Sequence, residues 1–220
     1  MARRVLLLNE ALDYVSRAGI PVLSYAYARG VDGVLKAAEE IGYPVALKIV
    51  SGKAIHKSEI GGVILDIDSP EKLKRAIEDM VERMEKLGIP VEGFIVQKMA
   101  EPGAIEGFVG VLRDPVFGPL VGFGAGGILV ELYRDVVFDL APTDKQYVIR
   151  LLEGETRFGK LLMGKYRGLG PYDYEGFAEV VEKVSRLAWE DKRLLELDLN
   201  PVLVYRDKVL VVDARVVLEA

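Results

Sequence analysis

Apolar residues recur along the chain with two periods, one typical of helices and the other typical of strands. From Leu8 to Val15 they follow helical spacing, which predicts a helix over residues 5–18 that ends at Gly19. The same spacing predicts further helices over residues 31–41, 69–87, 143–153 and 174–190. Short apolar runs bounded by glycine, proline or polar residues predict strands over residues 21–25, 43–50, 63–67 and 93–99.

The second half of the chain has the pattern of an antiparallel sheet. From residue 106 to residue 138, strand-like runs alternate with glycine and proline turns. A hairpin is predicted at the end, with strands over residues 199–205 and 209–217 joined by a turn at residues 206–208. The whole pattern predicts an α+β fold. We expect one domain over residues 1–220, with lobe 1 at about 20–95, lobe 2 at about 96–220 and a hinge near residues 97–101.

Composition narrows the class of protein. Of the 220 residues, 50% are hydrophobic and 29% are charged, as in a well-packed globular protein. The net charge of −5 argues against a nucleic-acid partner, which requires a concentrated cationic face. No apolar run is long enough for a signal peptide core or a membrane span, so we expect a cytoplasmic protein with no membrane partner. The scarcity of asparagine and glutamine favours a thermophilic source.

The chain has no cysteine and a single histidine, His56. These counts exclude disulfides, thiolate metal sites, thiol nucleophiles and a zinc site built from histidines. Any metal should therefore be a hard cation held by oxygen atoms, such as Mg²⁺.

The predicted C-terminal hairpin carries a candidate metal site. Period-two alternation puts Glu196, Asp198 and Asn200 on one face of its first strand, opposite three leucines. Folding about the turn brings Asp213 opposite residue 201 or 202, within about one step of Asn200. Carboxylate and amide oxygens there suit Mg²⁺, which leaves coordination positions for phosphates. An edge strand with a solvated face explains the alternation equally well, but a carboxylate in the apolar second strand is costly without a partner.

Two cationic features complement this cluster. Lys48 lies in an apolar run, so its ammonium group must either extend out of the strand or meet an anion such as a nucleotide phosphate. His56 lies in a polar loop between Lys53 and Lys57, whose charges would favour a phosphorylated imidazole. The alternative is a solvated basic loop with no chemical role.

A glycine-rich segment at residues 122–127 matches the dinucleotide-binding pattern G-x-G-x-x-G. That pattern requires a helix to begin at its last glycine, whereas residues 128–132 have the composition of another strand. A glycine-rich turn close to a ligand, or a bulged hairpin, is the better interpretation. The sequence contains neither a P-loop nor a G-x-S-x-G nucleophile elbow, so ATP would have to be bound by another architecture.

Four motifs together resemble the ADP-forming acyl-CoA synthetases. They are IGYPVALKIVS at residues 41–51, IHKS at 55–58, GGV at 61–63 and ELDLNP at 196–201. The resemblance extends over the whole chain and implies an ATP-grasp fold, in which two α+β lobes enclose the nucleotide cleft. The His-Lys-Ser loop is fairly specific to this family, whereas the Asn-Pro strand is shared with the succinyl-CoA synthetase beta subunit.

The resemblance also implies roles for individual residues. ATP or ADP would be bound by Lys48, Ser51, Gln97, Lys98, Met99 and Glu106. Mg²⁺ would be bound by Asn200 and Asp213, with Asp198 a weaker candidate. His56 would carry the phosphoryl group on the nucleotide side.

The family also contains CoA-binding domains that this chain lacks. The resemblance therefore implies an alpha subunit that carries them, in a hetero-oligomer such as α2β2. Alternatives are a succinyl-CoA-synthetase-like beta chain, another ATP-grasp ligase and a non-catalytic nucleotide-sensing module. An NAD-binding domain is the least supported alternative.

Overall fold

The structure is a computed structural model that describes residues 2–53, 60–127, 135–166, 168 and 170–220. The chain divides into two compact units. The smaller unit contains Leu7–Glu10 and Leu23–Glu101, and the larger contains Met1–Leu6, Ala11–Val22 and Pro102–Ala220. The single-domain assignment and its lobe boundaries stay a prediction.

Eleven strands and six helices are assigned within the described residues. The strands are β1 (Arg3–Val5), β2 (Tyr25–Ala28), β3 (Val45–Val50), β4 (Val63–Ile67), β5 (Gly93–Lys98), β6 (Ile105–Asp114), β7 (Gly118–Ala125), β8 (Val136–Leu140), β9 (Leu194–Val204), β10 (Val209–Val211) and β11 (Ala214–Glu219). The helices are α1 (Leu8–Arg17), α2 (Gly30–Ile41), α3 (Pro70–Lys86), α4 (Lys145–Glu155), α5 (Arg157–Leu162) and α6 (Tyr174–Glu190). None of these helices has the length and apolar character needed to cross a bilayer.

The smaller unit is a four-stranded antiparallel sheet in the order β2-β5-β3-β4. Side chains of α2 and α3 pack against one face, where the alternate β3 residues Val45, Leu47 and Ile49 are fully buried. The remaining β3 side chains, including Lys48, therefore point to the opposite face. Helix α3 begins as predicted, because the Ser69 hydroxyl accepts a hydrogen bond from the Lys72 backbone amide.

The larger unit is built on a seven-stranded antiparallel sheet in the order β1-β11-β9-β6-β7-β8, with β10 paired to β9. Helix α6 covers one face, and its Phe177 lies against Gly107 of β6, where a Cβ atom would be 2.6 Å from the ring. The opposite face carries the alternate β6 residues, including Glu106 and Leu112. This second face also carries the candidate site residues of β9.

Three elements differ from those predicted from the sequence, either because they pair with distant residues or because they are short. Residues 3–5 form a strand paired to β11, so the first helix begins at Leu8 instead of residue 5. The strand predicted over residues 21–25 instead lies at Tyr25–Ala28, paired to β5. Helix α5 is missing from the prediction because six residues show no period. Each depends on contacts far away in sequence or on an element too short to show a period.

Candidate active site

Asn200 and Asp213 face each other across the C-terminal hairpin. Val211 pairs with Val202 and Ala214 pairs with Leu199, which places Asp213 opposite Asn200. The sequence had predicted that Asp213 would lie opposite residue 201 or 202 instead. The Tyr205 amide donates to the Lys208 carbonyl at 2.8 Å, so the turn is centred slightly earlier than the sequence indicated. The predicted proximity of Asn200 and Asp213 is confirmed.

Asp198 lies on the same face of β9, between the buried Leu197 and Leu199. Its Oδ1 atom is buried and has no hydrogen-bond partner among the residues that the structure describes. Burial raises the pKa of the Asp198 carboxyl; the Arg215 guanidinium opposes this shift and the Asp213 charge adds to it. A bound cation would stabilise the negative charge of this desolvated carboxylate and of the second carboxylate beside it.

Asn200 is held by Gly127, the last residue of the glycine-rich segment. Its Oδ1 atom accepts a hydrogen bond from the Gly127 backbone amide at 2.9 Å. Glu106 lies against the same glycine, since a Cβ atom on Gly127 would be 1.7 Å from Glu106 Oε2. Glu106, predicted to bind the nucleotide, and Asn200, predicted to bind the metal, therefore meet at Gly127.

The glycine-rich pattern itself does not have the dinucleotide-binding geometry. Gly122 lies within β7, paired to Gly110 on one side and to Phe138 on the other, instead of in a turn after a strand. The strand predicted over residues 128–132 lies outside the described residues.

Lys48 and Gln97 share the face of the smaller sheet opposite the one that packs against α2 and α3. Lys48 pairs with Ile95 and Ala46 pairs with Gln97, so the two polar side chains are diagonal neighbours on β3 and β5. Lys48 is 4% exposed and Gln97 is 1% exposed. The Gln97 amide nitrogen donates to the Leu23 carbonyl at 3.4 Å. A buried ammonium group in an apolar strand matches the predicted need for an anion.

Lys98 and Met99 were predicted to offer backbone groups to adenine. Their amides already donate within the unit, to the Ser24 carbonyl at 2.9 Å and the Pro44 carbonyl at 3.2 Å. The Lys98 ammonium donates to the Gly42 carbonyl at the end of α2, at 3.0 Å. Adenine would therefore have to use carbonyl oxygens of these residues or share their donors.

Ser51 is buried, and its hydroxyl accepts a hydrogen bond from the Lys53 amide at 3.3 Å. It lies at the start of the segment that carries His56. His56 itself lies outside the described residues.

The described ranges contain no group of three or more histidine, cysteine, aspartate or glutamate side chains arranged for a metal. The candidate site instead combines two carboxylates, Asp198 and Asp213, with the amide oxygen of Asn200. A partial set of oxygen donors fits Mg²⁺, which usually retains water or phosphate ligands.

Comparison with known proteins identifies the family. A family model described as an ATP-grasp domain matches residues 1–218. The beta subunit of acetate–CoA ligase (ADP-forming) I from Pyrococcus furiosus is 39% identical over 98% of this chain and 92% of its own length. This chain belongs to the ATP-grasp family of ADP-forming acetate–CoA ligases.

Two further relatives show how this chain compares with a longer protein and with a solved structure. The acetate–CoA ligase (ADP-forming) I of Archaeoglobus fulgidus is 41% identical over 95% of this chain, which spans only 30% of that protein. An acetyl-coenzyme A synthetase 1 structure from Ca. Korarchaeum cryptofilum aligns with a TM-score of 0.84 at 39% identity, covering 98% of this chain and 93% of the other. That structure contains coenzyme A and Mg-AMPPCP, with a phosphohistidine segment pointing towards the nucleotide site. The predicted α+β ATP-grasp fold and the ligase family are confirmed.

Proposed function

We propose that this chain is the nucleotide-binding subunit of an enzyme that interconverts acyl-CoA, ADP and phosphate with acid, CoA and ATP. One observation carries the proposal: Asp213 lies opposite Asn200, beside the unpaired carboxylate oxygen of Asp198. Oxygen donors converge there in a family of ADP-forming ligases. The succinyl-CoA-synthetase alternative is less well supported, because the succinate–CoA ligase beta subunit of Haloarcula marismortui is only 28% identical.

The oxygen cluster is the proposed metal site. Asn200 and Asp213 would hold Mg²⁺, and Asp198 would contribute its charge from the adjacent position. When bound, the cation neutralises phosphate charge, which is the main requirement of phosphoryl transfer. The magnesium in the Ca. Korarchaeum cryptofilum complex supports this assignment.

The residues proposed to bind the nucleotide are those that the family resemblance implies. Lys48 would hold the nucleotide phosphates, as the resemblance of the segment at residues 41–51 to the family implies. The remaining proposed nucleotide contacts are Ser51, Gln97, Lys98, Met99 and Glu106.

His56 is the proposed phosphoryl carrier. One of its imidazole nitrogens would attack the γ-phosphorus of ATP, forming an N–P bond as the P–O bond to ADP breaks and ADP leaves with the electron pair. The reverse step would transfer the phosphoryl group to ADP and form ATP. The phosphohistidine recorded in the Ca. Korarchaeum cryptofilum enzyme supports this chemistry.

Labelling with γ-³²P ATP and Mg²⁺ tests the carrier role. Acid-labile and base-stable label is typical of phosphohistidine. Because His56 is the only histidine in the chain, such label on the wild type would be assigned to His56. We expect His56→Ala to take up no such label, while its affinity for ADP measured by calorimetry stays within about twofold of wild type. Base-stable label on His56→Ala, or its absence from the wild type with saturating nucleotide, would refute the relay.

The proposal includes a partner. An alpha subunit with the CoA-binding domains would complete the enzyme, in a hetero-oligomer such as α2β2. The single-chain relative supports this, since the present chain spans 30% of its length. The cytoplasm, where ATP and CoA are found, is the proposed location.

A further inference from the structure

The side-chain amide of Asn200 has two chemically different ends. Its oxygen accepts hydrogen bonds and can bind a cation, whereas its NH₂ group donates and cannot. A half-turn of the amide exchanges these ends with almost no change in shape. A metal site that uses asparagine therefore needs a neighbour that distinguishes the oxygen from the nitrogen.

Gly127 can make this distinction. Its backbone N–H donates to Asn200 Oδ1 at 2.9 Å. A reversed amide would place its NH₂ group against this N–H, which removes the hydrogen bond and opposes two donors. An amide oxygen has two lone pairs, so the hydrogen bond occupies one and leaves the other for a cation.

The backbone around Gly127 is itself fixed closely against β6. The Gly126 amide donates to the Glu106 carbonyl at 2.8 Å. A Cβ atom on Gly126 would be 2.1 Å from the Gly107 carbonyl oxygen, and one on Gly127 would be 1.7 Å from Glu106 Oε2. Gly127 also has a φ of +61°, which disfavours other residues. At Gly126 any side chain would overlap the β6 backbone, so glycine allows this close approach.

We propose that the turn at Gly126 and Gly127 is a positioning element of the metal site. The Gly127 N–H holds the Asn200 amide with its oxygen, and not its nitrogen, available to the cation. This inference rests on the proposed function, because it assumes that Asn200 is a metal ligand.

Binding of Mn²⁺ in the presence of ADP, measured by electron paramagnetic resonance, tests the positioning role. Gly127→Ala strains the turn at its φ of +61° and puts a Cβ atom against the Glu106 carboxylate, and we expect its Mn²⁺ affinity to fall by about 10-fold or more, as for other groups that orient a ligand. Gly118→Ala is the matched control. Gly118 also has a positive φ, of +82°, but a Cβ atom there meets nothing within 4 Å. We expect Gly118→Ala to bind Mn²⁺ as the wild type does.

A double-mutant cycle separates amide orientation from general disruption of the turn. A carboxylate has two equivalent ends, so Asn200→Asp removes the need to choose between them. We expect Gly127→Ala to change Mn²⁺ affinity by less than about twofold in the Asn200→Asp background. Equal losses in both backgrounds would overturn the proposal.

Two outcomes distinguish this inference from the proposed function. If Asn200→Ala leaves Mn²⁺ affinity unchanged, the metal assignment itself is wrong. If Asn200→Ala weakens Mn²⁺ binding and Gly127→Ala does not, only the positioning role is wrong.

Hydrogen exchange provides a measurement that does not depend on the folding of Gly127→Ala. We expect the Gly127 amide to exchange about 10-fold faster in Asn200→Ala than in the wild type, because its acceptor is lost. Equal exchange rates would show that the amide does not hold Asn200, and the positioning role would fall.

Discussion

Lys48 places a positive charge within a buried apolar strand of the smaller unit. The residue is 4% exposed and its sheet neighbours in register are Ile95 and Val63. An ammonium group is retained at such a position when an anion offsets the cost of burial. Nucleotide phosphate is that anion in the proposed function.

Replacing Lys48 by methionine tests this interpretation. Methionine keeps the unbranched apolar stem and removes the charge, so we expect ADP affinity to fall by about 10- to 100-fold, the value of one charge-assisted hydrogen bond. Calorimetric titration with ADP measures the change. Unaltered ADP affinity would contradict the assignment.

The Asp191 carboxylate joins helix α1 to the connection between α6 and β9. It accepts hydrogen bonds from the Tyr14 hydroxyl at 3.0 Å and from Arg193 at 3.0 and 2.9 Å. The hydrogen bond from Arg193 is the main cause of the lowered pKa of Asp191. Burial, followed by the Asp191 charge, raises the pKa of Tyr14, so Tyr14 remains a protonated donor.

Stability should therefore depend on the charge of Asp191. Its folded pKa lies below the unfolded value, so its contribution is complete above the unfolded pKa of about 4 and is lost as pH falls through the folded pKa. We expect Asp191→Asn to lower the free energy of unfolding by about 1–2 kcal/mol at pH 7. Urea denaturation should show this difference shrinking below pH of about 4. Asp207→Asn, on the exposed hairpin turn, should differ from wild type by under about 0.5 kcal/mol at either pH.

Elements defined by local signals were predictable from the sequence. Helix α6 has the predicted bounds, Tyr174–Glu190, and Ser69 caps α3 as expected. The pairing of Asp213 with Asn200 was nearly right, because a hairpin register depends mainly on its turn.

Features that depend on distant partners could not be predicted. Strand β1 pairs with β11 at the opposite end of the sequence. The hydrogen bond between Gly127 and Asn200 joins residues 73 positions apart. A single sequence does not show which distant residues are in contact. The glycine-rich segment therefore indicated a close backbone approach but did not identify Asn200 as the residue approached.

Two glycines in neighbouring helices should respond in opposite ways to replacement by alanine. A Cβ atom on Gly159 of α5 would be 2.1 Å from the Leu152 carbonyl oxygen, whereas one on Gly154 of α4 meets nothing within 4 Å. We expect Gly159→Ala to destabilise the protein by about 1–3 kcal/mol through overpacking. Gly154→Ala should stabilise it by up to about 1 kcal/mol through helix propensity. Thermal unfolding compares the two, and equal shifts in Tm would contradict the packing at Gly159.

This chain covers very different shares of its relatives. It matches 92% of the Pyrococcus furiosus beta subunit but 30% of the Archaeoglobus fulgidus enzyme. In the proposed function, this chain transfers the phosphoryl group to and from the nucleotide, and the alpha subunit carries out the steps that involve CoA.

Assays of the isolated chain test that division. We expect it to bind ADP and, with Mg²⁺ and ATP, to become phosphorylated, but to form no acetyl-CoA from acetate and CoA. Addition of the companion subunit should restore acetyl-CoA formation, measured by chromatography. Acetyl-CoA formation by this chain alone would contradict a division of labour between two subunits.

The path of the chain has a consequence for biosynthesis. The smaller unit is complete once residue 101 has been made, whereas β1 pairs with β11, the final strand. Residues 3–5 therefore cannot pair until residues 217–219 have been made. At the usual elongation rate of about 5–20 residues per second, this delay lasts on the order of 10 s. During that interval a nascent polypeptide would carry one finished unit and an open sheet edge awaiting its partner.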